Sequence, residues 1–244
     1  MDDRPSRAFQ YKRALLKLSG EALLGGAAYG IDAGAAARFA REILAAQDRG
    51  AQICVVIGGG NIFRGLAGAA AGMDRVKADY IGMLATVMNA VALGNAVNQA
   101  GGVAAIHSAI PIEAVAEAFQ RDRAVRDLEA GRIVIFAGGT GNPFFTTDTT
   151  AALRAAEMGC DVILKATQVD GVYSADPKRD PSAVRYDRVS YDEALARDLK
   201  VMDGAAFALA RDTGIPIIVF SGEEEGSIAR VLAGEGAATI VTAG

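Results

Sequence analysis

Two lysines close apolar runs in this chain. Lys17 ends Ala14-Leu15-Leu16-Lys17-Leu18, and Lys165 ends Asp161-Val162-Ile163-Leu164-Lys165. An ammonium at the end of a buried strand is costly unless it meets an anion, and a phosphate would serve. The plain alternative is a strand-edge lysine that snorkels to solvent. Two glycine-rich segments offer partners for the same chemistry. Gly58-Gly59-Gly60-Asn61 follows the apolar run from Ile53 to Ile57, with Arg64 one helical turn further on. Consecutive glycines let successive N–H groups form an anion nest, and the planar fork of Arg64 suits phosphate oxygens. A tight turn beside a surface arginine is the alternative, but three glycines exceed what a turn requires.

The second segment, Gly138 to Thr147, follows the apolar run Ile133–Ala137 and precedes Asp148 and an alanine-rich stretch. A strand that opens through glycines and hydroxyls into a helix N-terminus is a site for an anion. Thr140, Asn142, Thr146 and Thr147 supply hydroxyl and amide groups. Phe144 and Phe145 either pack on a base or fill the core. Thr147 or Asp148 can also cap the helix, which is compatible with binding. Beyond Lys165 come Thr167, then Val169-Asp170-Gly171-Val172-Tyr173 and Asp176-Pro177. Tyr173 can stack on a purine and Asp176 can accept from a ribose or base; a glycine turn with a surface Asp-Pro reads equally well. No GxxxxGK[ST] occurs, no GxGxxG follows a strand, and no HRD or DFG is present. His107 is the single histidine, which excludes a His-rich metal site and reads as structural.

Strands alternating with helices must position these groups. Strands are predicted at 14–18, 53–57, 103–107, 133–137, 161–165, 216–220 and 239–242. Helices are predicted from Asp32 as N-cap through Arg49, within 74–99, from about Glu113 to Glu129, and at 149–158, 191–198, 203–213 and 227–233. This order predicts a three-layer αβα sandwich with a mainly parallel central sheet. Residues 166–188, rich in Asp, Pro and Lys, form a connection long enough to be functional.

The 244 residues suit one α/β domain or two closely fused lobes. A net charge of -4 argues against broad nucleic-acid binding. Cys54 and Cys160 form no CxxC and read as buried reduced thiols. The start, MDDRPSRAFQYKR, has no apolar stretch before its charges, and the most apolar run, Ile81 to Ala100, is broken by Asn89, Asn95 and Asn98. Neither a leader nor a membrane span is expected, and a cytoplasmic location follows.

In order, Lys17–Gly20, Gly58-Gly59-Gly60-Asn61-Ile62-Phe63-Arg64-Gly65, Asp79, Thr140–Thr147, Lys165-Ala166-Thr167 and Val169–Tyr173 resemble the amino acid kinase family. GGGNIFRG together with GTGNPFFTTD resembles its bacterial uridylate (UMP) kinase branch. The resemblance runs from about Tyr11 to the last strand. It implies one amino acid kinase domain over 1–244, with an acceptor-binding half at about 1–165 and a nucleotide-binding half at about 166–244. It implies transfer of the ATP γ-phosphoryl group to UMP, with Mg²⁺ accompanying ATP, in pyrimidine nucleotide biosynthesis. Lys17, Asp148 and Lys165 would be catalytic, with Asp148 organising both lysines. Lys17, Leu18, Ser19, Gly20, Gly60, Arg64, Thr167, Tyr173 and Asp176 would bind ATP. Gly59, Asp79 and the run Thr140, Gly141, Asn142, Pro143, Phe144, Phe145, Thr146 and Thr147 would bind UMP. The family is typically homohexameric, with GTP as an activator and UTP as an inhibitor in some members. The Gly- and Ala-rich stretch 25–30 falls where it carries a regulatory segment. Direct metal ligands are not identified by the resemblance.

Two rivals remain at this point. One is another amino acid kinase acting on a carboxylate. The other is a non-catalytic nucleotide-binding protein of the same fold, which should have lost one of Lys17, Lys165 or Asp148.

Overall fold

The computed structural model describes residues 9–65, 72–197, 199 and 201–243. The elements, in chain order, begin with β1 (Arg13–Leu18), a 3-10 turn (Gly20–Leu23), α1 (Ala33–Asp48), β2 (Gln52–Ile57) and α2 (Arg75–Gln99). Next come β3 (Ala104–Ser108), β4 (Glu117–Ala118), α3 (Arg121–Glu129), β5 (Ile133–Ala137), α4 (Thr147–Met158) and β6 (Val162–Thr167). The last are β7 (Val172–Tyr173), β8 (Arg185–Tyr186), β9 (Arg188–Ser190), α5 (Tyr191–Ala196), α6 (Gly204–Thr213), β10 (Ile217–Ser221), α7 (Ser227–Leu232) and β11 (Ala238–Thr242).

Nine strands form one sheet in the order β4-β3-β5-β2-β1-β6-β10-β11-β9. Neighbours pair in parallel except β10 with β11. Alternate residues along each central strand enter opposite cores, as the two-residue period of a strand requires. Leu16, Val55, Ile135 and Leu164 join α1, α2 and α7 on one face. Leu15, Cys54, Val134 and Ile163 join α3, α4 and α6 on the other. This is the expected αβα sandwich. Asp32 and Asp74 cap α1 and α2 by accepting from Ala35 N–H at 2.6 Å and Lys77 N–H at 3.1 Å.

The helix expected from about Glu113 begins only at Arg121. Residues 117–118 instead pair with His107 and Ser108, and Phe119 N–H donates to Ser108 O at 2.9 Å. The Phe119 ring meets Phe136 edge-on at 5.5 Å, so sheet pairing and an aromatic contact override local helix propensity. The irregular stretch 166–188 contains the antiparallel hairpin β7–β8. Helix α2 is long and apolar enough to cross a membrane by length and composition alone. Here its buried side, including Ala90, Leu93 and Val97, packs on the sheet. Its outer side exposes Tyr80, Ile81, Leu84 and Met88.

Candidate active site

Lys17 and Lys165 are register partners on the adjacent central strands β1 and β6. They share strand parity with Leu15 and Ile163, so both point to the α4 side of the sheet. There the first turn of α4 presents Asp148. Its Oδ1 lies 2.9 Å from Lys17 Nζ, and its Oδ2 accepts from Lys165 Nζ at 2.8 Å. All three side chains are largely buried. Burial works to raise the Asp148 carboxyl, but the two ammonium groups reverse this and hold it below its ordinary value. Burial pulls Lys165 below the ordinary lysine range; Asp148 opposes the shift and Lys17 adds to it. Lys165 also donates to Val201 O.

The cluster adjoins two cavities, one through Lys165 and the other through Thr147, the residue before Asp148. One, of about 410 Å³, is lined by Lys165, Thr167, Tyr173, Asp176, Val201 and Val219 among others. Tyr173 O–H donates to Asp170 Oδ1 at 2.6 Å, which fixes the ring along the hairpin wall and raises its phenol above the ordinary value. The other, of about 490 Å³, is lined by Gly59, Gly60, Arg64, Asp79, Asn142, Phe145, Thr146 and Thr147, with Arg75, Met83 and Thr86. Gly60 and Arg64, expected toward ATP, therefore share a wall with Gly59, Asp79 and other residues expected toward UMP. Arg64 forms an ion pair with Glu21.

Close approach of backbone accounts for two of these glycines. A Cβ on Gly20 would lie 2.7 Å from both Gly58 O and Gly60 N, and one on Gly59 would lie 2.7 Å from Gly82 O of α2. Neither fits without moving backbone. Gly60 has only the Arg64 side chain nearby, at 3.6 Å, so its Cα side is open. Leu18, expected at ATP, gives its side chain to the core and its carbonyl to Gly58 N–H at 2.9 Å. Ser19 caps the 3-10 turn and lines a third cavity of about 360 Å³ beside α1, shared with Thr167.

In the segment 140–147, Asn142, Phe145, Thr146 and Thr147 reach the second cavity, whereas Thr140 bonds locally with Asn142. Phe144 is 64% exposed and adopts φ 71°, a conformation that costs a bulky residue about 1–3 kcal/mol. Asp79 stabilises it by accepting from Phe144 N–H at 2.8 Å, while Arg75 Nε reaches both Asp79 oxygens at 2.9 and 2.8 Å.

Sequence reasoning missed Asp203, Val201 and Arg75. Asp203 caps α6 through Ala206 N–H at 2.8 Å and accepts from Thr146 Oγ1 and, at 2.9 Å, from Thr149 Oγ1. It thus ties the start of α4 to the start of α6. An aspartate opening a helix was visible, but its partners across the fold were not.

Among the described residues no cluster of carboxylates in this cleft suits a resident metal, because both oxygens of Asp148 face lysines. Elsewhere His107, Glu117 and Asp127 approach one another, but Arg123 and Arg132 already engage the two carboxylates. His107 is fully buried, and its Nε2 lies 2.8 Å from Asp127, consistent with a structural role. Cys54 and Cys160 are buried and unpaired, as expected.

The amino acid kinase family model matches residues 12–221. The chain belongs to the amino acid kinase family. Among members of that family, a uridylate kinase of Hyphomonas neptunium is 59% identical over 233 residues, covering 96% of this chain and 93% of the relative. The solved UMP kinase of Bacillus anthracis superposes with a TM-score of 0.91 at 42% identity, covering 96% of each chain. The UMP kinase of Ureaplasma parvum superposes at 0.90 with 36% identity, covering 96% of this chain and 99% of that one.

Proposed function

We propose that this amino acid kinase is a nucleoside monophosphate kinase that transfers the γ-phosphoryl group of ATP to UMP, giving UDP and ADP. The observation that carries the reading is the Lys17–Asp148–Lys165 cluster, with Lys165 lining one cavity and Thr147, beside Asp148, lining another. The similarity to uridylate kinases over nearly the whole chain supports the choice of acceptor. Retention of all three residues weighs against a non-catalytic binding protein.

Phosphoryl transfer demands in-line positioning and neutralisation of spread negative charge, not a covalent nucleophile. An oxygen of the UMP phosphate attacks the γ-phosphorus, and the bond to the β–γ bridging oxygen breaks as ADP leaves. The UMP phosphate is already ionised near neutrality, so no strong general base is required. Lys17 and Lys165 flank the transferred group, and Asp148 holds both in place. ATP lies along Lys17–Gly20, Thr167, Tyr173 and Asp176. UMP lies along Gly59, Asp79 and 140–147, with Asp79 at its ribose. Gly60 and Arg64 meet phosphates where the two nucleotides converge. Mg²⁺ bound to the ATP phosphates would neutralise their charge, held by the nucleotide and not by a carboxylate cage.

The reading extends to an acceptor-binding half at about 1–165 and a nucleotide-binding half at about 166–244, within one domain over 1–244. It extends to pyrimidine nucleotide biosynthesis in the cytoplasm, and to a homohexamer built from dimers. The exposed apolar residues of α2 support the assembly, since such a patch on a soluble protein marks an interface. GTP activation and UTP inhibition are part of the same reading, although the stretch 25–30 offers no basic side chain to a nucleotide. ADP release from ATP, measured with UMP, CMP, glutamate or aspartate as acceptor, tests the proposal. Release that depends on glutamate or aspartate, or on none of the four, overturns it.

A further inference from the structure

Asn89 is fully buried on the sheet-facing side of α2, inside a core where an unsatisfied amide is costly. Every polar group of its side chain is used. Its Nδ2 donates to Gly58 O at 2.6 Å and to Asn61 Oδ1 at 2.7 Å. Asn61, also buried, donates back to Asn89 Oδ1 at 3.0 Å and to Gly30 O at 2.8 Å. The two carboxamides form a reciprocal pair beneath the glycine-rich loop.

The consequence lies in the next peptide. No cis peptide occurs among the described residues, so Gly58 C=O and Gly59 N–H point in opposite directions across a planar trans unit. With the carbonyl turned inward to Asn89, the N–H is turned away from the core. Gly59 lines the acceptor cavity. Among the described residues, neither Gly59 nor Gly60 N–H donates to a backbone acceptor. Gly20 presses on the same loop, with an added Cβ falling 2.5 Å from Asn61 Oδ1.

We propose that Asn89 is a positioning residue for phosphoryl transfer: by holding the Gly58 carbonyl inward, it aims the Gly59 N–H at phosphate oxygens bound in the cleft. Asn89 touches no substrate itself. The inference deepens the kinase reading and rests on it for the identity of those phosphates.

Two variants separate aim from mere stability. Asn89→Leu keeps a similar volume and deletes both donors. Asn61→Leu breaks the same amide pair but leaves Asn89 free to donate to Gly58. Both should lower the melting temperature by comparable amounts. Asn89→Leu should lower kcat by about tenfold or more, as expected for a misdirected donor to developing charge, and Asn61→Leu by less than about threefold. Calorimetric binding of UMP and of a non-hydrolysable ATP analogue gives a readout without turnover. Asn89→Leu should weaken at least one of them about tenfold, and Asn61→Leu neither. Equal losses in the two variants overturn the inference, as does full activity of Asn89→Leu. If Asn89→Leu does not fold, Asn89→Ser and Asn61→Ser are compared in the same way. A wild-type protein that binds both nucleotides without forming UDP would sink the kinase reading instead, and the contrast in binding would still decide the role of Asn89.

Discussion

Asp148 gives one carboxylate oxygen to each of two lysines, Lys17 at 2.9 Å and Lys165 at 2.8 Å. The lysines come from neighbouring strands and would repel each other without it. Asp148→Asn keeps the shape and removes the charge, leaving two nearly buried ammonium groups uncompensated. The expected loss in kcat is on the order of 10²- to 10³-fold, the scale for a preorganised electrostatic contact. Steady-state turnover with saturating ATP and UMP checks this; a loss under threefold would exclude the organising role.

Lys165 sets an alkaline limit. Its ammonium is easier to deprotonate than an ordinary lysine because burial outweighs Asp148. Turnover needs the charged form, so kcat should fall as pH rises through a value below about 10.4, the ordinary lysine pKa. Lys165→Arg, which stays protonated, should move that limb upward even where its activity is lower. Asp148 governs the acid side of stability. Its folded pKa is depressed, so its contribution is present above its unfolded value and is lost as pH falls through the folded one. Chemical denaturation in steps below about pH 4 should show wild-type stability falling and Asp148→Asn changing less.

Asp79 links acceptor binding to loop shape, because it holds both Arg75 and the strained Phe144 backbone. Asp79→Asn should raise the KM for UMP by about tenfold, the scale of a lost charge-assisted hydrogen bond, and the KM for ATP far less. An effect confined to ATP would place Asp79 elsewhere. Phe144→Gly should relieve the positive φ, raising stability while costing acceptor affinity through a looser segment.

Gly59 meets α2 backbone so closely that Gly59→Ala should cost about 1–3 kcal/mol of stability through overpacking. Gly60→Ala, with open space around its Cα, should cost much less stability. Urea denaturation of the two variants ranks them, and the reverse order would contradict the packing.

On the outer face of α2, Leu84→Asp should shift the protein to smaller species in sedimentation, since a charge cannot be buried unpaired at an interface. An unchanged sedimentation profile would remove α2 from the assembly.

Much of this site was legible because apolar runs ending in lysine or glycine mark strands whose C-terminal ends carry chemistry. Lys17, Lys165 and Asp148 were each visible and a mainly parallel sheet followed from alternating strands and helices, but that β1 and β6 are neighbours did not. The start of α3 was not legible, because the pairing of Glu117 with His107 depends on a strand distant from local propensity. Val201 contributes a backbone carbonyl, which no side-chain pattern announces. Asp203 stood only as the first residue of a predicted helix, 203–213, and nothing at that position announces the two threonines from another helix that share it. Gly59 read as an anion nest, and its contact with Gly82 could be known only once α2 was placed.

The strand order carries a consequence for synthesis. β1 lies between β2 and β6, and β6 is made only after α4. A growing chain can assemble β3, β5, β2 and β1 side by side in that order while the other side of β1 still lacks a neighbour. During that interval β1 is the open border of a half-built sheet, a surface that invites pairing with other chains. An unpartnered lysine on such a border discourages that pairing. Lys17 would thus protect the nascent chain before Asp148 and Lys165 arrive to put it to chemical use.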